Sequence, residues 1–459
     1  MSKLASIRKN ELSVLSTLSK DRKFGTDGIR GPVTSTMNPL FVTKLGWAAG
    51  VILKEEGMSK VLIGKDTRIS GYMFESALQA GFISAGMDVT MLGPLPTPGV
   101  SYLANSNNQV GLVISASHNL FEDNGIKFFD KDGQKFSAEL EKRIETKLTQ
   151  EMVAVESINL GKASRMNDAQ GRYIEFCKSS FTDLDLNGLS ILLDCANGAT
   201  YSVAPKVFSE LGAKVETIGS SPDGININQN CGSTNPDFLK EEIIKGSYDL
   251  GIAFDGDGDR LQMVNARGEL LTGDDLLYVL AMHRVAQGNS DAGVVGTLMS
   301  NMGLELALAS SGLKLARAKV GDRYVKEVMK TEGWSLGGES SGHIICSDVS
   351  TTGDGIIAAL QVLAAMQQSG RSIDELRSGF VALPQALVNV RISKGFDLEA
   401  YPQISEACQA VEAELEGKGR LLLRPSGTEP VIRVMVEGDQ TVDIDALAGR
   451  VASGIQAAA

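Results

Sequence analysis

Three stretches of this chain repeat one order of elements, and that repetition limits the fold more than any other feature. Each is an apolar strand, a polar loop, a helix, a glycine, a second strand and a second glycine. The first has Lys60-Val61-Leu62-Ile63-Gly64, a helix over about Tyr72 to Ala85, Gly86, Val89 to Leu92, and Gly93. The second has Leu189 to Leu193, a helix over about Val203 to Leu211, Gly212, Val215 to Ile218, and Gly219. The third has Gly293 to Leu298, a helix over about Leu304 to Ser310, Gly312, Leu315 to Val320, and Gly321. Gly86, Gly212 and Gly312 stand where a helix takes a left-handed residue after its last turn. Any α/β protein contains strand–helix–strand units, but three copies spaced by about one domain each point to related domains.

After about residue 385 the character changes. Leu387 to Ile392, Gly419 to Leu423 and Val431 to Val436 read as strands, with helices over about Tyr401 to Glu414 and Asp445 to Gln456. That is an α+β unit. The fold expected is therefore α/β: three related mixed α/β domains (1–160, 161–262, 263–375) and a C-terminal α+β domain (376–459). Glu151 to Asp168 and Gln367 to Ser372 read as linkers, and residues 1–22 as a frayed or docking helix.

A net charge of −12 over 459 residues argues against nucleic acid or an anionic membrane as partner. No run of about 18 apolar residues exists, so no membrane span is expected, and the charged N-terminus lacks the apolar core of a secretory signal. Five cysteines without CxxC spacing argue for reduced thiols in a cytoplasmic protein. A small anionic substrate requires basic side chains concentrated locally.

The motifs meet that requirement. Ser115-Ala116-Ser117-His118-Asn119 follows the apolar Val110 to Ile114, with Asn124-Gly125-Ile126-Lys127 close behind. A hydroxyl, an imidazole and an amide thus gather where a strand opens into a loop, with a cation a few residues on, a common location for α/β active sites. The competing reading is a Ser/Asn-rich turn. Asp255-Gly256-Asp257-Gly258-Asp259-Arg260 follows Leu250 to Phe254. Three carboxylates separated by glycines can converge on one hard cation, and oxygen-only ligands suit Mg²⁺ better than zinc. An EF-hand fails, because Arg260 stands where glycine is needed and Ala266 where glutamate is needed. Arg424-Pro425-Ser426-Gly427-Thr428-Glu429-Pro430 with Arg433 has the composition of a phosphate cradle. Gly338-Glu339-Ser340-Ser341-Gly342-His343 offers an acid and a hydroxyl to a polyol; His343 reads equally well as a structural residue. Phe24 to Gly31, around Arg30, and Gly64-Lys65-Asp66-Thr67-Arg68 each put an arginine in a glycine-containing loop, and Arg68 has a simple reading as the partner of Asp66.

On these segments, from about Lys23 to the C-terminus, the chain resembles the α-D-phosphohexomutase superfamily. Phe24 to Gly31, Val320 to Tyr324, Thr351 to Gly355 and Glu429 to Val434 bring it nearest to the bacterial branch acting on glucosamine phosphates. The resemblance implies four domains around a central cleft. It implies an isomerase that interconverts glucosamine 6-phosphate and glucosamine 1-phosphate, feeding UDP-N-acetylglucosamine and cell-wall precursor synthesis. Ser117 would carry a phosphoryl group, and with Asp255, Asp257 and Asp259 would ligate one Mg²⁺ per active site. Arg30, His118 and Lys127 would surround the migrating group, with Arg260 beside the metal loop. Glu339, Ser341 and His343 would meet the sugar, and Arg424, Ser426, Gly427, Thr428 and Arg433 the non-reacting phosphate. Glucose or glucosamine 1,6-bisphosphate is the expected activator, a phosphosugar the expected small-molecule partner, and a homodimer is open. The alternatives are a mutase of mannose or glucose phosphates, or a non-catalytic sugar-phosphate binder on the same fold. Ser340 and the long leader depart from the family pattern.

Overall fold

The computed structural model describes residues 23–289, 291–393, 396–425 and 430–459. The expected helix in residues 1–22, and Ser426, Gly427 and Thr428, lie outside them. The fold is α/β in three units with an α+β fourth.

The first sheet runs in the order Ile29–Pro32, Asp123–Phe129, Val110–Ile114, Lys60–Lys65, Asp88–Pro94, Ala163–Arg165. The second runs Leu270–Leu271, Leu261–Asn265, Leu250–Phe254, Ser190–Asp194, Lys214–Ile218. The third runs Lys314–Ala318, Gly293–Thr297, Leu336–Gly338, Ile344–Cys346. One topology underlies all three. The repeat's first strand (from Lys60, Ser190 or Gly293) pairs in parallel with its second and with a third strand. That third strand then turns back as an antiparallel hairpin. The central strands are buried on both faces, as parallel sheets covered by helices require.

The repeat helices are Ser70–Ser84, Ala204–Glu210 and Met302–Ser310, close to the expected spans. Gln367 to Ser372 is not a linker throughout. The apolar helix Gly355–Ser369 runs through its first half, ending at Gly370 (φ +66°), and Ser372 caps the helix Ile373–Arg377. Within Glu151 to Asp168, Ala163–Arg165 joins the first sheet in parallel with Val89–Met91.

The fourth unit is an antiparallel sheet, Gln385–Arg391, Val431–Gly438, Gly419–Pro425, covered by the helices Pro402–Glu414 and Ile444–Ala458. It has its own core around Val411, Val434, Val451 and Ile455. One larger apolar cluster runs continuously through the first three units, from Leu62 and Tyr173 to Phe254 and Leu360.

Candidate active site

The shared topology brings the motifs together. In each of the first three units the hairpin after the third parallel strand carries one of them: Ser115–Asn119, Asp255–Arg260 and Glu339–His343. Three equivalent carboxyl-end loops thus supply a serine hydroxyl, an acidic loop and a polar loop.

Ser117 has a left-handed backbone, φ +51°, which costs a side-chain-bearing residue about 1–2 kcal/mol. Several hydrogen bonds hold it there. Ser115 Oγ accepts from Ser117 N at 2.9 Å. Asn228 Nδ2, from the second unit, donates to the carbonyls of Ser117 and Asn119, both at 2.9 Å. Arg68, fully buried, donates through Nη2 to the same two carbonyls while Nη1 pairs with Asp66. Ser117 Oγ is left facing Asp255, donating to Oδ2 at 2.6 Å, with His118 Nδ1 at 3.3 Å. Burial, with Arg260 and Arg30 nearby, pulls the His118 imidazole down to about 4.

Two glycines let the acidic loop pack against the serine loop. A Cβ on Gly256 would meet Ser117 O at 2.7 Å, and Gly258 turns with φ +72°. Lys127 Nζ bonds Asp257 Oδ2 at 2.8 Å and Asp259 Oδ2 at 3.0 Å. Thr97 also donates to Asp257, and Asp255 Oδ1 accepts from Arg260 N at 3.1 Å. Behind the loop, Gly355 N donates to Gly258 O at 3.0 Å, so Thr351 to Gly355 backs the acidic turn. Asp255, Asp257 and Asp259 each offer an oxygen within 4.8 Å of the others. Asp257 Oδ1 and Asp259 Oδ1 are buried with no hydrogen-bond partner. Burial, and then the Asp259 and Asp257 charges, push the Asp255 carboxyl well above the usual range. Orphaned, mutually repelling oxygen donors fit a metal ion.

A ring of charge surrounds this loop. Lys127 reaches Asp27 (2.9 Å), Lys135 joins Asp27 to Asp322, and His343 lies between Asp322 (3.8 Å) and Asp259 (3.6 Å). Burial opposes every charge here, yet the partners prevail. Asp27 and Asp259 are held well below the carboxylate range, and Lys127 well above the amine range. Asp259 and Asp322 likewise raise His343 despite its burial. Glu339 accepts from Gly321 N at 3.1 Å, and Ser341 is half-buried beside it.

Arg30 is exposed but near enough to His118 to act on it. Arg424 and Arg433 face each other across adjacent antiparallel strands. No carboxylate among the described residues is at ion-pair distance from either. Like charges so opposed are unfavourable until an anion bridges them. The pair shares no hydrogen bond with the Ser117 cluster. The sequence reading did not single out Asp27, Thr97, Asn228, Lys135 or Asp322. Asp27 lies inside the Phe24 to Gly31 motif and Asp322 inside Val320 to Tyr324, so both were within reach; Thr97, Asn228 and Lys135 sit in segments without a chemical pattern.

Four family models match the chain in order. Phosphoglucomutase/phosphomannomutase α/β/α domain I covers residues 21–154, domain II 171–268, domain III 272–382 and the C-terminal domain 387–454. A phosphoglucosamine mutase of Aeromonas salmonicida (strain A449) is 56% identical over 438 residues, 95% of this chain and 99% of that protein. One of Legionella pneumophila (strain Corby) is 55% identical over 424 residues, 92% of this chain and 93% of that protein. A solved phosphoglucomutase/phosphomannomutase family protein from Burkholderia thailandensis aligns with a TM-score of 0.78 at 22% identity, over 96% of this chain and 97% of that one. Aspergillus fumigatus N-acetylphosphoglucosamine mutase, solved with GlcNAc-6P and magnesium, aligns at 0.70 and 17%, over 97% and 98%. At these identities the two structures speak for the fold.

Proposed function

The chain belongs to the phosphoglucomutase/phosphomannomutase family, and from that premise we propose that it interconverts glucosamine 6-phosphate and glucosamine 1-phosphate through a phosphorylated Ser117. The activity is that of its relatives named phosphoglucosamine mutase, which match 92% or more of the chain. The observation that carries the catalytic reading is Ser117 Oγ held 2.6 Å from Asp255, at the mouth of the three-carboxylate loop.

In the forward step the Ser117 Oγ–P bond breaks and a substrate hydroxyl oxygen bonds to phosphorus. That hydroxyl's proton passes to a side-chain base, for which His118, 3.3 Å from Oγ, is the group in reach, and the same imidazole returns a proton to the departing Ser117 oxygen. The resulting 1,6-bisphosphate turns over in the cleft and returns its other phosphoryl group to Ser117. Catalysis of this kind is mainly positioning and charge neutralisation. Lys127, Arg30 and Arg260 supply cationic charge around the migrating group. Mg²⁺ held by Asp255, Asp257, Asp259 and the phosphorylated Ser117 would neutralise phosphoryl oxygens. Glu339, Ser341 and His343 hold sugar hydroxyls. Arg424 and Arg433, with Ser426, Gly427 and Thr428, hold the phosphate that is not reacting. Glucose or glucosamine 1,6-bisphosphate would prime Ser117. Two A. fumigatus neighbours bind ligands of this class, GlcNAc-6P with magnesium and glucose 1,6-bisphosphate.

Ser117→Ala is expected to abolish turnover and the covalent phosphate seen by intact-mass spectrometry; undiminished activity would overturn the reading. Arg424→Ala is expected chiefly to raise KM, since the distal phosphate is bound alike in ground and transition states. Coupled assays on glucosamine, glucose and mannose 6-phosphates test the sugar, and a preference for either neutral sugar would overturn that assignment.

A further inference from the structure

A cavity of about 880 Å³ opens between the first and third units, a size typical of small-molecule sites. One wall is the helix Asp322–Glu332, which turns Arg323, Lys326, Glu327 and Lys330 to it at helical spacing. The opposite wall is the segment 134–138, and Trp334 and the loop 347–351 complete the lining.

Several lining charges are already paired. Arg323 is bound to Glu141 (2.7 Å), Lys135 to Asp27 and Asp322, and Asp348 to Arg284 (2.8 Å). Lys326 differs. Its ammonium donates only to neutral oxygens, Gln134 Oε1 and Thr351 O, and no carboxylate among the described residues is at ion-pair distance. Burial pulls it down to about 8. One turn on, Lys330 is exposed and likewise has no carboxylate at ion-pair distance among the described residues; Glu327, also exposed, has no cation there. Two ammonium groups therefore stand against one unpaired lining carboxylate, and the better buried of them has lost hydration with no ion pair at contact distance among the described residues, only the longer-range pull of Asp322 and Asp130. An anion in the cavity restores that charge balance.

We propose that this cavity binds a phosphate ester, with its anionic group on Lys326 and Lys330, and that occupation reaches the catalytic loops through Lys135. Lys135 lines the cavity and also holds Asp27 and Asp322, the neighbours of Lys127 and His343. A bound anion drawing on Lys135 loosens the ring around the acidic loop.

The chain has two tryptophans, so Trp47→Phe leaves Trp334 as a reporter in the cavity wall. Inorganic pyrophosphate, which absorbs no light at these wavelengths, is the probe. A saturable change in Trp334 emission is expected, with half-saturation at least tenfold higher in Lys326→Met and in Lys330→Glu and unchanged in Arg424→Ala. No saturable response, half-saturation unchanged from the parent in both lysine variants, or loss of the response in Arg424→Ala would overturn the site. Lys330 is exposed, so its variant remains informative should Lys326→Met fail to fold. The link through Lys135 rests on the proposed activity and has its own readout. At saturating substrate, pyrophosphate is expected to lower kcat in the parent chain and not in Lys330→Glu. An equal loss in both would remove the link while leaving the binding result intact.

Discussion

At the scale of single residues, the backbone of Ser117 is set by side chains distant from it in sequence. Ser117 is held left-handed because Arg68 and Asn228 grip the carbonyls of Ser117 and Asn119. A lysine at position 68 keeps a charge for Asp66 but loses the planar fork that spans both oxygens. Arg68→Lys is therefore expected to lower kcat by roughly a hundredfold, the scale of a misplaced reacting group, with KM little changed. Steady-state kinetics and phosphate uptake on Ser117, followed by intact mass, check this; an unchanged kcat would reduce Arg68 to a core ion pair. The pairing with Asp66 was legible in the sequence, two positions apart. The grip on Ser117 was not, since main-chain oxygens leave no mark in a residue pattern and 49 positions separate donor from acceptor.

At the scale of elements, the joint to the fourth unit is a short relay of hydrogen bonds. Asp274, at the start of the helix Gly273–Ala286, accepts from Asn301 N at 2.8 Å. The Asn301 side chain in turn bonds Leu383 N and O at 2.9 and 3.0 Å, just before the fourth sheet begins. Burial first, with help from Asp275 and Glu437, lifts Asp274 to about 7. A carboxyl raised in the fold binds its proton more tightly there than in the unfolded chain. Its contribution to stability is thus full below about pH 4 and is lost as pH rises through about 7, on the order of 4 kcal/mol in all. Asp274→Asn keeps an acceptor for Asn301 and removes the titration. It is expected to be more stable than the parent at pH 8 and about equal at pH 4, measured by urea unfolding at both; no gain at pH 8 would show that Asp274 is charged without cost. Sequence reading reached the repeat's first strand, helix and second strand because their apolar runs and glycines are local. It did not reveal that Ser117, Asp255 and Glu339 occupy the same hairpin of the same topology. The fourth strand differs in length in every unit and the third is shorter in the third unit, and only the pairing register aligns them.

At the scale of the molecule, one apolar cluster spans the first three units beside a separate one within the first, and the fourth keeps its own, so the acidic loop is built at a packed joint while the arginine pair rides on a unit with its own core. That loop stores repulsion: two orphaned oxygens and a raised Asp255 persist only because the surrounding core fixes them. A divalent cation should convert the liability into a clamp between the first two units, since Lys127, Ser117 and Thr97 all reach the loop from the first. Saturating Mg²⁺, at about a hundred times its Kd, stabilises a native state by about 2.7 kcal/mol, which here reads as a rise of a few degrees in Tm. Asp255→Asn should reverse the order of stabilities. In chelator the variant is expected to melt above the parent, because the carboxyl that burial disfavours is gone while the amide oxygen still accepts from Arg260 N and the amide nitrogen donates to Ser117 Oγ. In Mg²⁺ the parent is expected to melt higher, because the variant has lost an anionic ligand. Calorimetry of both chains under both conditions checks the crossing. A variant that melts below the parent in chelator would mean that Asp255 already has its counter-charge without metal, and the fit of the loop to a cation would lose its physical basis.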